Sequence, residues 1–229
     1  MKNCAFGSRY IEINVDCNYR CRHCSYSLGG VSESNPRYSL DDIKNGLTKL
    51  DDQVYISGGE PTIHPEFEEI SRFLKSQGKQ LAIQTNGSTL GNPRIRQVLK
   101  DCYFRIKTPI NGHTSELCSF IAGAPLDLDA HLDNIRKLHE EAPDIHIMFV
   151  TVVTRDNIEY LDKILAITRE LEFGVQMLNF PETSDRLLGN NLMVSYTEFF
   201  DRLSRIKEET RVLVITSLVK CVYDSMSIR

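Results

Sequence analysis

The sequence lacks the features that would place the protein in a membrane, outside the cell or on a nucleic acid. No stretch approaches the roughly 18 apolar residues of a membrane-spanning helix, and the N-terminal stretch holds no apolar run typical of a signal peptide. The formal net charge is −4, so no global basic field attracts nucleic acid or acidic lipid. We therefore expect a cytoplasmic protein with no membrane partner and no clear nucleic-acid partner.

The cysteines do not suit a disulfide framework, because their number is odd and the chain is large. A chain of 229 residues that is 41% hydrophobic can form a substantial core without disulfides. Three cysteines lie within one short stretch and suggest a metal site. They are Cys17, Cys21 and Cys24, whereas Cys4, Cys102, Cys118 and Cys221 are scattered.

Short apolar runs alternate with amphipathic segments along the chain, which is typical of repeating βα units. Apolar residues at helical spacing predict helices after an N-cap at Ser39 and around residues 67–74, 132–138, 158–168 and 199–206. The predicted strands are Ile11–Val15, Val54–Ser57, Leu81–Gln84, Tyr103–Lys107, Ile145–Val152 and Val175–Leu178, with a possible terminal strand at Val212–Ile215.

Six such units are too few for the eight-fold barrel. We expect an α/β fold with parallel strands and outer helices, either an open sheet or, as we prefer, a partial (β/α)6 TIM-like barrel. We assign residues 1–210 to this core domain and residues 211–229 to a short C-terminal extension.

Polar and unusual residues follow strand after strand. In parallel α/β folds the chemistry sits at the C-terminal ends of the strands, so this coincidence predicts a functional site at that edge. The segments concerned are the cysteine trio after the first strand, Gly58-Gly59-Glu60-Pro61 after the second, Thr85-Asn86-Gly87 after the third, Pro109–Gly112 after the fourth, Thr154–Asn157 after the fifth and Asn179 after the sixth.

The cysteine trio alone allows a structural, a zinc or an iron–sulfur interpretation. Structural zinc needs four ligands, and His23 lies next to Cys24, where it is poorly placed to complete a tetrahedron with all three thiols. Three thiolates on a four-iron cluster leave one iron open for a substrate or cofactor, which suits catalysis.

Two motifs resemble those of the radical S-adenosylmethionine (radical SAM) family. The spacing Cys17-x3-Cys21-x2-Cys24 resembles the family signature, although His23 stands where an aromatic residue is usual. The ending Gly58-Gly59-Glu60 of the second strand resembles the family's glycine-glycine-glutamate motif. The resemblance covers about Tyr10 to Leu178. It implies that the trio holds a [4Fe-4S] cluster and that Gly58, Gly59 and Glu60 orient the methionine end of S-adenosylmethionine (SAM).

The resemblance is weaker at the remaining strand ends, where ordinary packing or capping is an equal alternative. The third-strand ending and the loop from Pro109 to Gly123 resemble those of the molybdenum-cofactor and peptide-modifying branches, but the loop lacks the usual serine and His-Asp pair. Lys107 or Asn111 would then replace the usual ribose contact. The SAM-binding candidates at these ends are Thr85, Asn86, Lys107, Asn111, Thr154, Met177 and Asn179.

The activity that the resemblance implies is reductive cleavage of SAM to methionine and a 5′-deoxyadenosyl radical, which abstracts hydrogen from a substrate. The electron donor would be a flavodoxin or ferredoxin, and the substrate a ribosomally made peptide or a small molecule. The alternatives are a glycyl-radical enzyme activase and a non-catalytic iron–sulfur or zinc-binding family member. Cys118 and Cys221 are candidate catalytic thiols, with burial as small apolar side chains the alternative.

Overall fold

Seven parallel strands form one sheet in which the spatial order of the strands follows their order in the chain. A computed structural model describes residues 10–24, 37–180, 191–206 and 212–214. Each strand pairs with the next one in parallel, so all C-terminal strand ends lie at one edge, which we call the carboxyl edge. The strands are β1 (Tyr10–Asn14), β2 (Gln53–Gly58), β3 (Gln80–Gln84), β4 (Tyr103–Pro109), β5 (His146–Val152), β6 (Val175–Asn179) and β7 (Val212–Val214).

The described part of the chain contains seven α-helices, five of which the sequence analysis predicted. Ser39 caps the first helix in a reciprocal capping box with Asp42, which confirms the predicted helix start. The helix ends earlier than its apolar stripe suggested and continues as a 3-10 turn, Leu47–Lys49. The α-helices are α1 (Leu40–Gly46), α2 (Phe67–Ser76), α3 (Pro93–Cys102), α4 (Ser115–Ala122), α5 (Leu128–Glu141), α6 (Leu161–Glu170) and α7 (Tyr196–Arg205).

Two of these helices, α3 and α4, were missed by the sequence analysis. The start of α3 has a recognisable signal, since the Asn92 side chain accepts a hydrogen bond from Arg94 N and Pro93 occupies the first helical position. The start of α4 also carries a cap, because Thr114 accepts from Leu117 N. Cap residues without a long apolar stripe are a weaker signal than periodicity, and short α4 offers little periodicity.

The hydrophobic core lies between the sheet and the helices. Alternate residues of a strand point to opposite faces of its sheet. The buried residues Val54, Ile56 and Ile106 face the helices and belong to the main core cluster. Their neighbours in sequence point to the opposite face, which we call the inner face. Inner-face residues include Tyr10, Glu12, Tyr55, Gln84, Arg105, Lys107, Met148 and Met177.

The last strand, β7, lies in the segment that we assigned to the C-terminal extension, and it pairs with β6 as part of the sheet. Residues 215–229 lie outside the described residues, so the domain boundary at residue 210 stays a prediction. Among the described helices, none combines the length and the apolar character that crossing a membrane requires.

Candidate cofactor site at the carboxyl edge

The three cysteines of the trio are free, partly buried thiols in the loop that follows β1. Cys24 N donates a hydrogen bond to Cys21 O at 3.0 Å, which turns the loop. Cys17 Sγ accepts hydrogen bonds from Tyr19 N at 3.4 Å and from Asn86 Nδ2 at 3.7 Å. Burial raises the pKa of Cys17. Burial, with a further contribution from the charges of Cys24 and Cys17, raises the pKa of Cys21 to about 12.

The chemistry of this donor set suits an iron–sulfur cluster, because cysteine thiolates are the usual ligands of its irons. In the described part of the chain, no group of three or more His, Cys, Asp or Glu side chains is arranged to hold one ion. A four-iron cluster binds each thiolate through a different iron, so its ligands need not converge on one point. The thiols also lie in one loop, and Cys17 already accepts the kind of hydrogen bond that stabilises a cluster-bound thiolate.

The cysteine loop rests on the C-terminal end of α4. Arg20 N donates to Ala122 O at 2.8 Å, and Arg22 N donates to Ile121 O at 2.9 Å. The last carbonyls of a helix have no intrahelical partner, so the loop satisfies them. Gly123 ends the helix with φ +60°, and a Cβ there would overlap Arg20 O. Helix α4, which the sequence analysis missed, therefore supports the cysteine loop.

Arg22 ties the same loop to the end of β5. Its guanidinium forms a salt bridge with Asp156 at 2.9 Å and lies 4.3 Å from the centroid of the Phe120 ring. The adjacent His23 is partly exposed as a residue, yet burial of its ring lowers its pKa to about 4.

The two glycines of the second motif are required by the cysteine loop itself. Gly59 N donates to Asn14 O at 2.8 Å, and Glu60 N donates to Asp16 O at 2.7 Å. A Cβ on Gly58 would overlap Asn14 O, and one on Gly59 would overlap Asp16 O. The resemblance assigns these glycines to orienting SAM, but the structure reveals a nearer constraint on them, because the chain packs against its own backbone here.

Glu60 is fully buried, and its carboxylate binds donors from two strand ends. Thr62 N and Thr62 Oγ1 donate to Oε1 at 3.0 and 2.5 Å, and Thr85 Oγ1 donates to the same oxygen at 2.7 Å. Asn86 N donates to Oε2 at 2.5 Å. Burial raises the pKa of Glu60, and these four hydrogen bonds oppose that rise. Glu60 therefore joins the ends of β2 and β3, and Thr62 is a member of the site that the sequence analysis did not identify.

Asn86 connects this Glu60 network to the cysteine trio. Its Nδ2 donates to Asn18 Oδ1 at 2.8 Å as well as to Cys17 Sγ. Asn18 Nδ2 in turn donates to Ser88 Oγ at 2.8 Å. The predicted meeting of the first three strand ends is thus present, and Thr85 and Asn86 lie in it.

Asn157, which the sequence analysis named only as the end of the polar segment after the fifth strand, organises the ends of β4 and β5. Its Nδ2 donates to Asn111 O at 3.0 Å and to Val152 O at 2.9 Å, and its Oδ1 accepts from Thr154 N at 2.8 Å. Asn111 Oδ1 accepts from Val152 N at 2.9 Å. The hydroxyl of Thr154 is buried and has no hydrogen-bond partner among the described residues.

The remaining candidate site residues that the structure describes lie on β4, α4 and β6, away from the network around Glu60. Met177 is buried on the inner face of β6, and Asn179 Oδ1 accepts from Phe180 N at 2.9 Å. Cys118 is buried in α4, where burial raises its pKa to about 11. Lys107 lies on the inner face of β4, with Nζ 5.2 Å from the centroid of the Tyr55 ring. Cys221 lies outside the described residues, and a catalytic role for either thiol stays a prediction.

The chain is similar in sequence to enzymes of SAM chemistry. It is 26% identical over 167 residues to the AdoMet-dependent heme synthase of Methanosarcina barkeri, which covers 70% of this chain and 46% of the synthase. It is 30% identical over 165 residues to the mycofactocin maturase MftC of Mycobacterium ulcerans, covering 68% of this chain and 42% of the maturase. The chain thus spans about half the length of these relatives.

Solved structures share the fold. Streptococcus suis SuiB bound to S-adenosylmethionine superposes with a TM-score of 0.71 at 13% identity, covering 92% of this chain and 50% of SuiB. The protein anSMEcpe with bound AdoMet superposes with a TM-score of 0.67 at 18% identity, covering 89% of this chain and 62% of that one. The sequence profile of the radical SAM superfamily matches residues 11–166, which is more than half of the chain. This chain therefore belongs to the radical SAM superfamily.

Proposed function

We propose that this chain binds a [4Fe-4S] cluster through Cys17, Cys21 and Cys24 and cleaves SAM reductively to begin a radical reaction on a substrate. The observation that carries the proposal is the backbone hydrogen bonding between the two motifs. Gly59 N and Glu60 N both donate to carbonyls of the segment that leads into the cysteine trio. When bound, the cluster supplies the electron that converts SAM into methionine and a 5′-deoxyadenosyl radical.

The chain's own residues hold and orient these groups. The three thiols would each bind one iron of the cluster and would leave the fourth iron without a protein ligand from the trio. Tyr19 N and Asn86 Nδ2 donate hydrogen bonds to Cys17 Sγ, which stabilises its thiolate. The carboxylate of Glu60 binds its own chain, so the groups at Gly58–Glu60 best suited to accept from the SAM ammonium are backbone carbonyls. The Thr154 hydroxyl is a further candidate for a SAM contact.

We propose a ribosomally made peptide as the first substrate class to examine. The fold neighbour SuiB supports it by name, because it has been solved bound to its precursor peptide SuiA, at a TM-score of 0.69 to this chain. A flavodoxin or ferredoxin would deliver the electron. The described cysteines are free thiols, which supports a reducing, cytoplasmic compartment.

Activation of a glycyl-radical enzyme is the second candidate function. A relative from Methanocaldococcus jannaschii that carries the name of a glycyl-radical enzyme activating enzyme is 25% identical over 160 residues. The alignment covers 67% of this chain and 61% of that relative, and the latter is a larger share of the relative than for the heme synthase (46%) or the maturase (42%). A glycyl-radical signal in a partner protein after incubation with the reduced, SAM-loaded chain would favour this function over peptide modification.

The test of the proposed function is anaerobic. The protein is reconstituted with iron and sulfide, reduced with dithionite and given SAM, and 5′-deoxyadenosine is measured by mass spectrometry. We expect about four irons per chain, the count of one cubane, and deoxyadenosine above a SAM-only blank.

Two cysteine variants control that experiment. Cys21→Ala should lose both the iron and the product, whereas Cys102→Ala, which removes a buried thiol at the end of α3, should keep both. A loaded wild-type cluster that yields no deoxyadenosine with any tested peptide, or Cys21→Ala with full iron content and activity, would contradict the proposal. The first of these results would favour a non-catalytic iron–sulfur protein.

A further inference from the structure

Two cations lie side by side on the inner face of β4. Ile106 and Thr108 are buried on the helix-facing side of this strand, so Arg105 and Lys107 point to the other side. Arg105 Nη1 donates to Tyr55 Oη at 2.8 Å. Lys107 Nζ lies 5.2 Å from the centroid of the same Tyr55 ring. Both cationic side chains are partly buried and converge on one aromatic residue of β2.

No carboxylate of the described chain compensates this pair. Among the described residues, neither Arg105 nor Lys107 forms a salt bridge. The described strands carry one carboxylate on the inner face, the exposed Glu12 of β1, and no salt bridge joins it to either cation. Burial lowers the pKa of Lys107, and the positive charge of Arg105 lowers it further. Placing two like charges together in a partly buried position carries an energetic cost unless an anion joins them.

The rest of the described chain treats its shielded cations differently. The buried Arg96 pairs with Glu141 at 3.0 Å and also donates to Leu90 O. Lys79, whose side chain is 13% exposed, donates to Leu50 O at 3.0 Å and lies 3.7 Å from Asp52. These two cations, which are shielded from solvent, thus have carboxylate or carbonyl partners. Arg105 and Lys107 have no carboxylate partner among the described residues.

The cation pair lies close to the predicted cofactor site. Lys107 is in register with Gln84 of β3, and Lys107 O accepts a hydrogen bond from Thr85 N at 3.0 Å. Thr85 and Asn86 are the residues that connect Glu60 to Cys17. A molecule held at the pair by an anionic group would therefore extend toward the carboxyl edge.

We propose that Arg105 and Lys107, together with the Tyr55 hydroxyl, form an anion-binding site that holds a carboxylate or phosphate group of the substrate. The inference rests on the proposed function, because it names the substrate class of the same site. Arginine offers paired donors and lysine a point charge for such oxygens. The Tyr55 hydroxyl accepts from Arg105 and keeps its own hydrogen for the anion. SAM carries a carboxylate of its own, so the test must separate the two sources of the anion.

The first experiment uses the full-length chain without its cluster and measures pyrophosphate binding by calorimetry. We expect Lys107→Met and Arg105→Met each to weaken binding by about tenfold or more, as loss of a charge-assisted contact implies. Lys137→Met removes the same charge from an exposed position on α5 and should bind like the wild type. Lys107→Arg keeps a cation and should retain most of the affinity. Thermal unfolding checks that each variant folds. Equal pyrophosphate affinity of the wild type and Lys107→Met would contradict the proposed anion-binding site.

The second experiment repeats the titration on the cluster-loaded protein with saturating SAM. Unchanged pyrophosphate affinity supports a substrate anion, because SAM then leaves the site free. Displacement of pyrophosphate by SAM, with a weaker SAM affinity in Lys107→Met, would overturn the substrate assignment and give the site to the SAM carboxylate. Deoxyadenosine formation is scored separately. A chain that binds pyrophosphate at this site and makes no deoxyadenosine contradicts the proposed function and leaves the anion site in place.

Discussion

Two charged regions of the same sheet differ in how completely the protein itself compensates them. At the carboxyl edge, the buried carboxylate of Glu60 receives four hydrogen bonds from Thr62, Thr85 and Asn86. On the inner face, Arg105 and Lys107 share one tyrosine and have no carboxylate partner among the described residues. The first region is complete without a ligand and so acts as a frame. The second has unmet charge and so is where a ligand would contribute most.

The largest loss of stability should come from a substitution at Gly58, where β2 packs against the end of β1. Gly58→Ala places a Cβ against Asn14 O at φ +138°. The steric overlap and the strained backbone together should lower the free energy of unfolding by about 3 to 5 kcal/mol. Urea unfolding measures the change, and Gly46→Ala is the matched control, since a Cβ there meets nothing within 4 Å. Equal stability of the two variants would show that the close packing of β1 and β2 at this edge is not required.

Glu60→Gln should be the next largest change. The substitution keeps the size but turns one acceptor oxygen into a donor that faces Thr62, Thr85 or Asn86. Leaving a buried donor unsatisfied should cost about 2 to 3 kcal/mol in the free energy of unfolding. Glu68→Gln removes a partly exposed carboxylate that pairs with the more exposed Arg72 and Arg94, and it should change stability little. A larger loss for Glu68→Gln than for Glu60→Gln would reverse the interpretation of the frame.

The buried histidine His131 predicts that the free energy of unfolding depends on pH. His131 of α5 packs where a Cβ on Gly87 would lie, and burial lowers its pKa to about 4. Between about pH 6.5 and pH 4 the unfolded chain binds the proton more readily than the folded chain, so stability should fall with falling pH by about 2 kcal/mol. Urea unfolding across this range measures it. His131→Gln should reduce the slope, although the buried His23 still contributes to it, and the exposed His146→Gln should not reduce it; an unchanged slope in His131→Gln would contradict the assignment.

Asn86→Ala should affect the cluster more than the fold. It removes the donor at 3.7 Å from Cys17 Sγ, while the backbone bond from Asn86 N to Glu60 is retained. Loss of a hydrogen bond to a ligating sulfur should shift the midpoint potential to a more negative value. Potentiometric titration followed by electron paramagnetic resonance measures the shift. Ser88→Ala, which removes a hydroxyl bonded to Asn18, should shift it less, and an equal or larger shift would argue against the Asn86 contact.

The smallest effect on stability should come from Lys107→Met in the absence of ligand. The variant removes one member of a like-charged pair, so the free energy of unfolding should stay the same or rise slightly. Urea unfolding of the cluster-free protein checks this. A clear loss of stability would mean that Lys107 has a structural partner, and the contrast between the two regions would then disappear.

The sequence predicted the parallel sheet and the two cofactor motifs because both depend on local patterns. Each short apolar run that predicts a strand, the Ser39 cap and the spacing of Cys17, Cys21 and Cys24 can be recognised from a few neighbouring residues. The support of the cysteine loop by α4 could not be read in this way, because Arg20 and Ala122 lie about a hundred residues apart in the chain. The same holds for Glu60 and Asn86, which meet only after β2 and β3 have paired.

The pairing of Arg105 with Lys107 also could not be predicted from the sequence. Arg105 and Lys107 lie in a predicted strand, but which face they occupy depends on register. The register shifts between Leu81 and Ala82, so that Leu81 pairs with Tyr103 and Ala82 with Arg105. Such a shift changes how alternating residues are assigned to the two faces. Only Lys107 was singled out, as a ribose contact, and its partnership with Arg105 and Tyr55 required the paired sheet.

The open iron implied by three thiolates can be tested most directly by electron paramagnetic resonance of the reduced, reconstituted protein before and after addition of SAM. The account predicts a four-iron signal in the wild type that changes when SAM is added, and the loss of that signal in Cys21→Ala. A four-iron signal that is indifferent to saturating SAM would mean that the fourth iron already has a ligand. That result would contradict the assignment of this edge as a SAM-cleaving site.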